Sequence, residues 1–131
     1  AAFVYQDDLV SAFMDVQPIN PGHVLVVTNQ EVTSLAELDE ETGIHLFRIA
    51  HRIALALRKS AIKCEGVNIF VLDGEAAGQE VSHVHIHVVP RFSGDGYEWK
   101  LKQDLKIAAK EEIAKTAAII SSVLDPGARQ K

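Results

Sequence analysis

The chain has 131 residues and a formal net charge of −5, which predicts one domain over residues 1–131 that buries about two-thirds of its unfolded surface. The acidic balance argues against a general nucleic-acid binder, because such proteins use an excess of lysine and arginine to neutralise phosphates. The single cysteine fits a reducing, cytoplasmic compartment or the lack of any redox role, and no apolar run predicts a membrane span or a secretion signal.

The first third of the chain predicts strands joined by turns. Two short apolar runs, 1–5 and 9–14, are separated by three polar residues and predict a β-hairpin. A turn with two prolines and a glycine, residues 17–22, leads into 23–28. The four consecutive apolar residues of this last segment predict a strand that is covered on both faces.

The next segment changes to the period of a helix. From about residue 39 to 63, apolar residues recur every three or four positions, which predicts an amphipathic helix of about six turns. The predicted apolar stripe consists of Ile44, Phe47, Ala54, Leu57 and Ala61, widened by Leu46, Ile49, Ala50 and Ile53. Arg48 and Arg52 mark the solvent side, and His45 lies with them, so we expect His45 to be a solvated surface residue.

The second half of the chain predicts two more strands and a helix. Residues 67–72 form an apolar run typical of a strand, and a loop with two glycines connects it to a further strand that begins near residue 83. A long C-terminal helix that ends before Pro126 is predicted from regularly spaced apolar residues: Leu101, Leu105, Ala109, Ile113, Ala117, Ile120 and Leu124. The predicted fold class is therefore α+β.

Three of the six histidines, His83, His85 and His87, alternate with β-branched residues. This is the period of a half-buried strand, so the three imidazoles should leave the same face. Alternate strand residues lie about 6.5 to 7 Å apart, so neighbouring rings can reach one small charged group. Three uses compete: a half-exposed polar face, a zinc site, and phosphate chemistry in which a neutral imidazole attacks phosphorus. The spacing alone does not separate the last two.

Three segments in the same order carry a resemblance to a known family. The run from His83 to Val89 has the form His-X-His-X-His-X-X with hydrophobic X, and the segments 74–79 and 20–27 precede it. Together they resemble the histidine triad (HIT) family of nucleotide hydrolases and transferases. The resemblance implies the HIT-like fold, an antiparallel sheet of about five strands with a long central helix and a C-terminal helix. It also implies a homodimer whose two sheets join into one.

The activity implied by this resemblance is hydrolysis or nucleotidyl transfer at the α-phosphate of a purine nucleotide, an adenosine phosphoramidate or a dinucleoside polyphosphate. His85, at the centre of the row, is the candidate nucleophile, because a neutral imidazole is not repelled by the phosphate oxygens. His83 and His87 would orient the central ring, donate hydrogen bonds to the phosphate, or protonate the leaving group. The sequence does not say which of the two protonates it.

The same resemblance assigns substrate-binding roles to further positions. His23 matches a fourth histidine beside the triad, and Asp15 matches a carboxylate that accepts hydrogen bonds from both ribose hydroxyls. The remaining implied contacts are Phe13, Val16 and Leu25 in a base pocket, and Asn68, Gln79 and the amides of Glu80 and Val81 at the phosphates or leaving group. No metal or other cofactor is expected in the chemical step.

Some positions depart from the family pattern. Relatives commonly carry about twenty further N-terminal residues with a Cys-X-X-Cys pair, and Glu31 stands where they tend to have a ligand histidine, so a structural zinc is not expected. Leu72 replaces an amide residue that is frequent near the phosphate, and Glu80 replaces a small hydroxyl residue, which favours short substrates such as phosphoramidates. Two alternatives stay open: a nucleotide-binding adaptor of the same fold, and a metal-dependent hydrolase that uses the three histidines.

Overall fold

The computed structural model of this chain describes residues 1–98 and 105–124. The chain divides into two compact units, Ala1–Tyr97 and Glu98–Lys131. In chain order the first unit contains β1 (Phe3–Gln6), β2 (Val10–Met14), β3 (Val24–Thr28), α1 (Glu40–Lys59), β4 (Gly66–Val71) and β5 (His85–Arg91). Short 3-10 turns lie at Leu35–Glu37 and Glu75–Ala77, and the second unit contains α2 (Lys110–Val123).

The five strands form one antiparallel sheet in the order β1-β2-β3-β5-β4. In the register of β3 and β5, Leu25 lies opposite His87 and Val27 lies opposite His85. On the other side of β5, Phe70 of β4 lies opposite His87. The predicted α+β fold, with about five antiparallel strands, a long central helix and a C-terminal helix, is confirmed.

Helix α1 covers one face of the sheet and begins at a capped residue. The Asp39 carboxylate accepts a hydrogen bond from the amide of Thr42 and so satisfies one of the free amides of the first turn. The buried residues of α1 pack in one core with buried residues of the sheet and of the segment before β5. The residues of α1 are Leu46, Ile49, Ala50 and Leu57, and the others are Val10, Ala12, Val24, Val26, Val84, Ile86 and Val88. The predicted stripe was too wide, because Ile44 and Phe47 are about half exposed.

The expectation that β3 is covered on both faces is wrong. Val24, Val26 and Thr28 are buried beneath α1, whereas Leu25 and Val27 on the other face are only half-buried. A run of apolar residues carries no sign of which face is open, and here the open face is the one that Leu25 and Val27 share with two histidines.

His45 is also placed differently from the expectation of a solvated surface residue. Its Nε2 lies 2.6 Å from Oδ2 of Asp7, in the turn between β1 and β2, and its ring is half-buried. Arg48 donates a hydrogen bond to Nδ1, so the proton of the neutral ring is on Nε2 and is donated to Asp7. The helical pattern correctly indicated the polar side of α1, but it carries no information that a hairpin turn reaches this side.

Helix α2 is shorter than the predicted C-terminal helix. It begins at Lys110, and residues 105–109 before it are not helical. The predicted positions of Leu101 and Pro126 lie outside the described residues. Among the helices that the structure describes, none combines the length and the apolar character that crossing a membrane requires.

Candidate functional site

The histidine row lies on the face of the sheet that α1 leaves open. Val84, Ile86 and Val88 are buried in the core beneath α1, and the three histidines that alternate with them are half-buried. His85 and His87 belong to β5, and His83 lies just before that strand begins. Alternation in a strand sends successive side chains to opposite faces, so His85 and His87 lie on the face opposite to the core. His83 lies outside the strand, and its contacts with Thr28 place its ring at the end of β3.

The backbone fixes which nitrogen of the His85 ring carries the proton in the neutral ring. Its Nδ1 lies 2.7 Å from the carbonyl oxygen of His83. A carbonyl oxygen only accepts hydrogen bonds, so Nδ1 carries the proton and donates it. In the neutral ring, Nε2 then has a free lone pair. This is the form that a nitrogen nucleophile requires.

The ring of His83 is anchored to the end of β3. Its Nε2 lies 2.9 Å from the carbonyl oxygen of Thr28 and 3.1 Å from Oγ1 of the same residue. The Thr28 hydroxyl donates its own hydrogen to the carbonyl oxygen of Gln30, so both Thr28 oxygens act as acceptors. The Nε2 proton of His83 is therefore directed at β3, and the His83 carbonyl orients His85.

A chain of hydrogen bonds sets the tautomers of His23 and His87. The amide of Ile19 donates to Nδ1 of His23 over 3.0 Å, and an amide cannot accept. The proton of neutral His23 is therefore on Nε2, which lies 3.0 Å from Nδ1 of His87. His87 accepts this hydrogen bond at Nδ1, so its own proton is on Nε2. His87 thus presents a hydrogen-bond donor, whereas His85 presents a lone pair.

Burial keeps these two rings neutral. His23 is only 2% exposed, and burial lowers its pKa against the opposing effect of the Asp15 carboxylate. Burial, followed by the charges of His85 and His23, lowers the pKa of His87 to about 4. Both rings are therefore uncharged near neutral pH, as the hydrogen-bond chain requires.

The lowered pKa of His87 predicts a stability that falls in mild acid. Below a pH of about 6.5 the unfolded chain protonates this histidine, whereas the folded chain does not until about pH 4. The unfolded state then binds more protons, so the free energy of unfolding decreases between pH 6.5 and 4. Urea unfolding at pH 7 and pH 5 should show this decrease, and His87→Asn should reduce it. An equal decrease in the variant would contradict the assignment.

One oxygen or nitrogen atom from each of Asp15, His23 and His87 could act as a metal ligand, and these three atoms lie within 4.8 Å of one another. This is close enough to surround a metal ion. A metal ligand must offer a lone pair, however, and Nε2 of His23 carries a proton because Nδ1 accepts the Ile19 amide. Binding a metal would require loss of that buried hydrogen bond. The hydrogen-bond arrangement therefore fits a proton-bearing relay better than a metal centre.

The structure places the expected ribose and base contacts beside this relay. Asp15 accepts a hydrogen bond from the Gln17 amide at Oδ1, and its Oδ2 lies 3.4 Å from Nε2 of His23. Phe13 lies opposite Leu25, which lies opposite His87, so the three side chains form one row across neighbouring strands. Val16 is 92% exposed, so its side chain is open to solvent.

The expected phosphate contacts are divided between two locations. Gln79 uses its whole side-chain amide within the protein: Oε1 accepts from Gly74, and Nε2 donates to the carbonyls of Thr33 and Val81. It therefore fixes the loop before the triad. In the described part of the chain, the amides of Glu80 and Val81 donate to no protein acceptor, and both residues are exposed.

Asn68 lies one row beyond His87 on the same face, opposite Val89. Its Oδ1 accepts a hydrogen bond from Nη1 of Arg91 over 2.7 Å. Arg91 also forms a bidentate pair with Asp95. The structure thus engages Asn68 in an ionic network at the end of β5, and its expected contact with a phosphate or leaving group remains a prediction.

Sequence reasoning missed the residues that hold the histidines in place. Asn20 is buried, its Nδ2 donates to the Pro90 carbonyl and to Asp95, and its carbonyl accepts from the His23 amide. These bonds fix the turn that positions His23. The Asn-Pro-Gly turn was visible in the sequence, but a partner 75 residues away leaves no local signal. Thr28, the anchor of His83, read only as a strand residue.

A cavity of about 310 Å³ lies on the opposite face, between α1 and the first three strands. It is lined almost entirely by apolar side chains, among them Met14, Val24 and Ile53. None of the triad residues lines it.

Comparisons with known proteins point to one family. The family model of the HIT domain matches residues 1–94. An uncharacterized HIT-like protein of Borreliella burgdorferi is 37% identical over 109 residues, which cover 82% of this chain and 78% of that protein. The crystal structure of a HIT family protein from Bacillus anthracis matches with a TM-score of 0.82 and 30% identity, covering 95% of this chain and 88% of the other. The bis(5'-nucleosyl)-tetraphosphatase (asymmetrical) of Schizosaccharomyces pombe is 36% identical over 91 residues, which cover 70% of this chain and 50% of that enzyme.

Proposed function

The chain belongs to the histidine triad (HIT) family, and from this premise we propose that it hydrolyses a purine nucleotide at the α-phosphate through a nucleotidyl-His85 intermediate. The observation that carries the proposal is the hydrogen bond from Nδ1 of His85 to the His83 carbonyl. It leaves a lone pair on Nε2 of His85, on the face of the sheet opposite to α1, and we propose that the phosphate binds on this face.

The first step forms a bond between Nε2 of His85 and the α-phosphorus while the bond from phosphorus to the leaving group breaks. The electron pair of that bond departs with the leaving group, which takes up a proton from solvent when it leaves as ammonia or an amine. The Nε2 of His87 carries a proton and donates a hydrogen bond to the departing atom. This hydrogen bond stabilises the negative charge that develops on that atom. In the proposed roles, His87 therefore donates a hydrogen bond to the leaving group, and His83 orients the nucleophile.

The second step is attack of water on the phosphorus of the intermediate. An oxygen–phosphorus bond forms, the nitrogen–phosphorus bond returns its electron pair to Nε2, and the water releases its protons to solvent. The products are a nucleoside monophosphate and the free enzyme. No metal or other cofactor takes part, because the nucleophile and the donor are both supplied by the chain.

The proposed substrate occupies the row of Phe13, Leu25 and His87. The purine packs beside Phe13, Val16 and Leu25, and the ribose hydroxyls bind Asp15. The free amides of Glu80 and Val81 face the phosphates, as preorganised donors do. The name of the S. pombe relative supports a dinucleoside polyphosphate as substrate, whereas Leu72 and the charge of Glu80 support a shorter adenosine phosphoramidate.

The proposed assembly is a homodimer in which the two sheets join at β4. Within the described residues no strand pairs with the outer side of β4, and unpaired strand edges favour association. Helix α1 adds an exposed apolar stripe of Ile44, Phe47 and Leu55, each about half exposed. The half-buried free thiol of Cys64 supports a reducing, cytoplasmic compartment.

A substrate panel tests this function. We expect release of AMP from adenosine phosphoramidate, adenylated lysine or a diadenosine polyphosphate, and no turnover of sugar nucleotides at a comparable rate. The 2'-deoxy form of the best substrate should lose about tenfold in kcat/KM, because it leaves one Asp15 hydrogen bond unmade. Asp15→Asn should reduce that discrimination.

The same panel separates the alternatives. Micromolar binding of AMP with turnover near the uncatalysed rate would favour a nucleotide-binding adaptor. Activity that is lost to a chelator and restored by zinc would replace the covalent mechanism with a metal-dependent one.

A further inference from the structure

Among the rings of the described residues, that of Phe70 has the shortest centroid distance to the ring of His87. The two residues are a cross-strand pair of β4 and β5. Their ring centroids are 4.4 Å apart and their planes differ by 13°, which is a face-to-face stack. No pattern in the sequence indicates this contact, because Phe70 is one of several apolar residues in its strand.

The stack limits a rotation that hydrogen bonds alone leave free. The terminal torsion of a histidine ring has a broad energy minimum. Among the residues that the structure describes, the side chain of His87 receives one hydrogen bond, at Nδ1, from His23. A ring fixed at one nitrogen can still tip about that point. A flat partner across one face prevents the tipping, so the direction of the Nε2 proton is set jointly by His23 and Phe70.

We propose that Phe70 is a positioning residue that aims the Nε2 proton of His87 at the leaving group. This inference rests on the proposed function, since it presupposes transfer to His85. Phe70 has no polar atom and contributes no chemistry of its own. Its effect is confined to leaving groups that need the His87 hydrogen bond, and a leaving group that departs unaided does not depend on it.

The groups around His87 fit this role. His85 lies on the same strand, His23 and Asp15 face it from the segments that flank the turn before β3, and β4 contributes the uncharged Phe70 and Asn68. No fixed charge on β4 therefore competes with the stack.

The test compares two esters of AMP that differ in the acidity of the leaving phenol. The p-nitrophenyl ester has a good leaving group, and the phenyl ester has a poor one. Phe70→Leu should lower kcat/KM for the phenyl ester by about tenfold or more and for the p-nitrophenyl ester by less than about threefold. Phe70→Tyr, which keeps the ring, should keep the wild-type ratio of the two esters. Phe92→Leu serves as the control, because it removes an aromatic ring just after β5 that lies against Lys63 and not against a histidine.

Equal losses on both esters, or no loss on either, would overturn the inference. If Phe70→Leu does not fold, Phe70→Met keeps the volume without the flat ring and is judged by the same ratio. His85→Ala separates the two levels of the argument: wild-type hydrolysis of the p-nitrophenyl ester by that variant would refute the proposed function itself. An inactive His85→Ala with an unchanged ester ratio in Phe70→Leu would refute only the role of Phe70.

Discussion

His85→Asn should lower kcat by about 10⁴-fold or more. Asparagine has a comparable size and can still donate to the His83 carbonyl, but its amide nitrogen has no available lone pair to attack phosphorus. The remaining site still binds the substrate, so the affinity for AMP should change by less than about threefold. The measurement is a steady-state assay with the best nucleotide of the panel, together with calorimetric titration of AMP.

His51→Asn is the matched control for this change. His51 is an exposed residue of α1, on the element that covers the opposite face of the sheet, so its replacement should leave kcat unchanged. Turnover by His85→Asn within tenfold of the wild type would remove His85 from the role of nucleophile.

The second large effect is expected at His23, where two substitutions separate two functions of one ring. His23→Gln places an amide donor near the position of Nε2 and can still donate to His87. His23→Asn instead places an acceptor near Nδ1 for the Ile19 amide and leaves His87 without its donor. Without that donor the tautomer of His87 is no longer fixed, so we expect His23→Asn to lose about 10²-fold in kcat/KM, a typical contribution of a positioned proton donor.

His23→Gln should retain at least about tenfold more activity than His23→Asn, although it leaves the buried Ile19 amide unpaired and is destabilised by about 1 to 3 kcal/mol. Thermal unfolding and kcat/KM measured on the same preparations distinguish activity from stability. Should the more stable variant also prove the more active one, the hydrogen-bond chain to His87 would have no catalytic role.

The sequence was sufficient for the parts of this molecule that depend on local period. Histidine and apolar residues alternate over residues 83 to 89, which is the two-residue period of a strand. The apolar residues of α1 recur with the 3.6-residue period of a helix. The open face of β3 was not predictable in this way. Leu25 and Val27 are as apolar as their buried neighbours, and what distinguishes them is that they lie on the face opposite to α1.

In the candidate site too, the sequence indicated some residues and not others. The histidines stood out because few residue types carry this chemistry, whereas the partners that fix their protons are a threonine, a backbone carbonyl and a backbone amide. Such groups are common in any sequence. Their roles arise from contacts such as His83 with Thr28, 55 residues apart, and His23 with His87, 64 residues apart. The proposal that His87 serves the leaving group, which the sequence left open, is supported by those contacts.

The most direct measurement of the central claim is to trap the intermediate. Enzyme mixed with an excess of nucleotide and quenched within milliseconds should carry one nucleoside monophosphate, and peptide mass spectrometry should locate it on His85. The adduct should be acid-labile and should be absent from His85→Asn. Full turnover without any adduct, or an adduct on a different residue, would contradict the covalent mechanism.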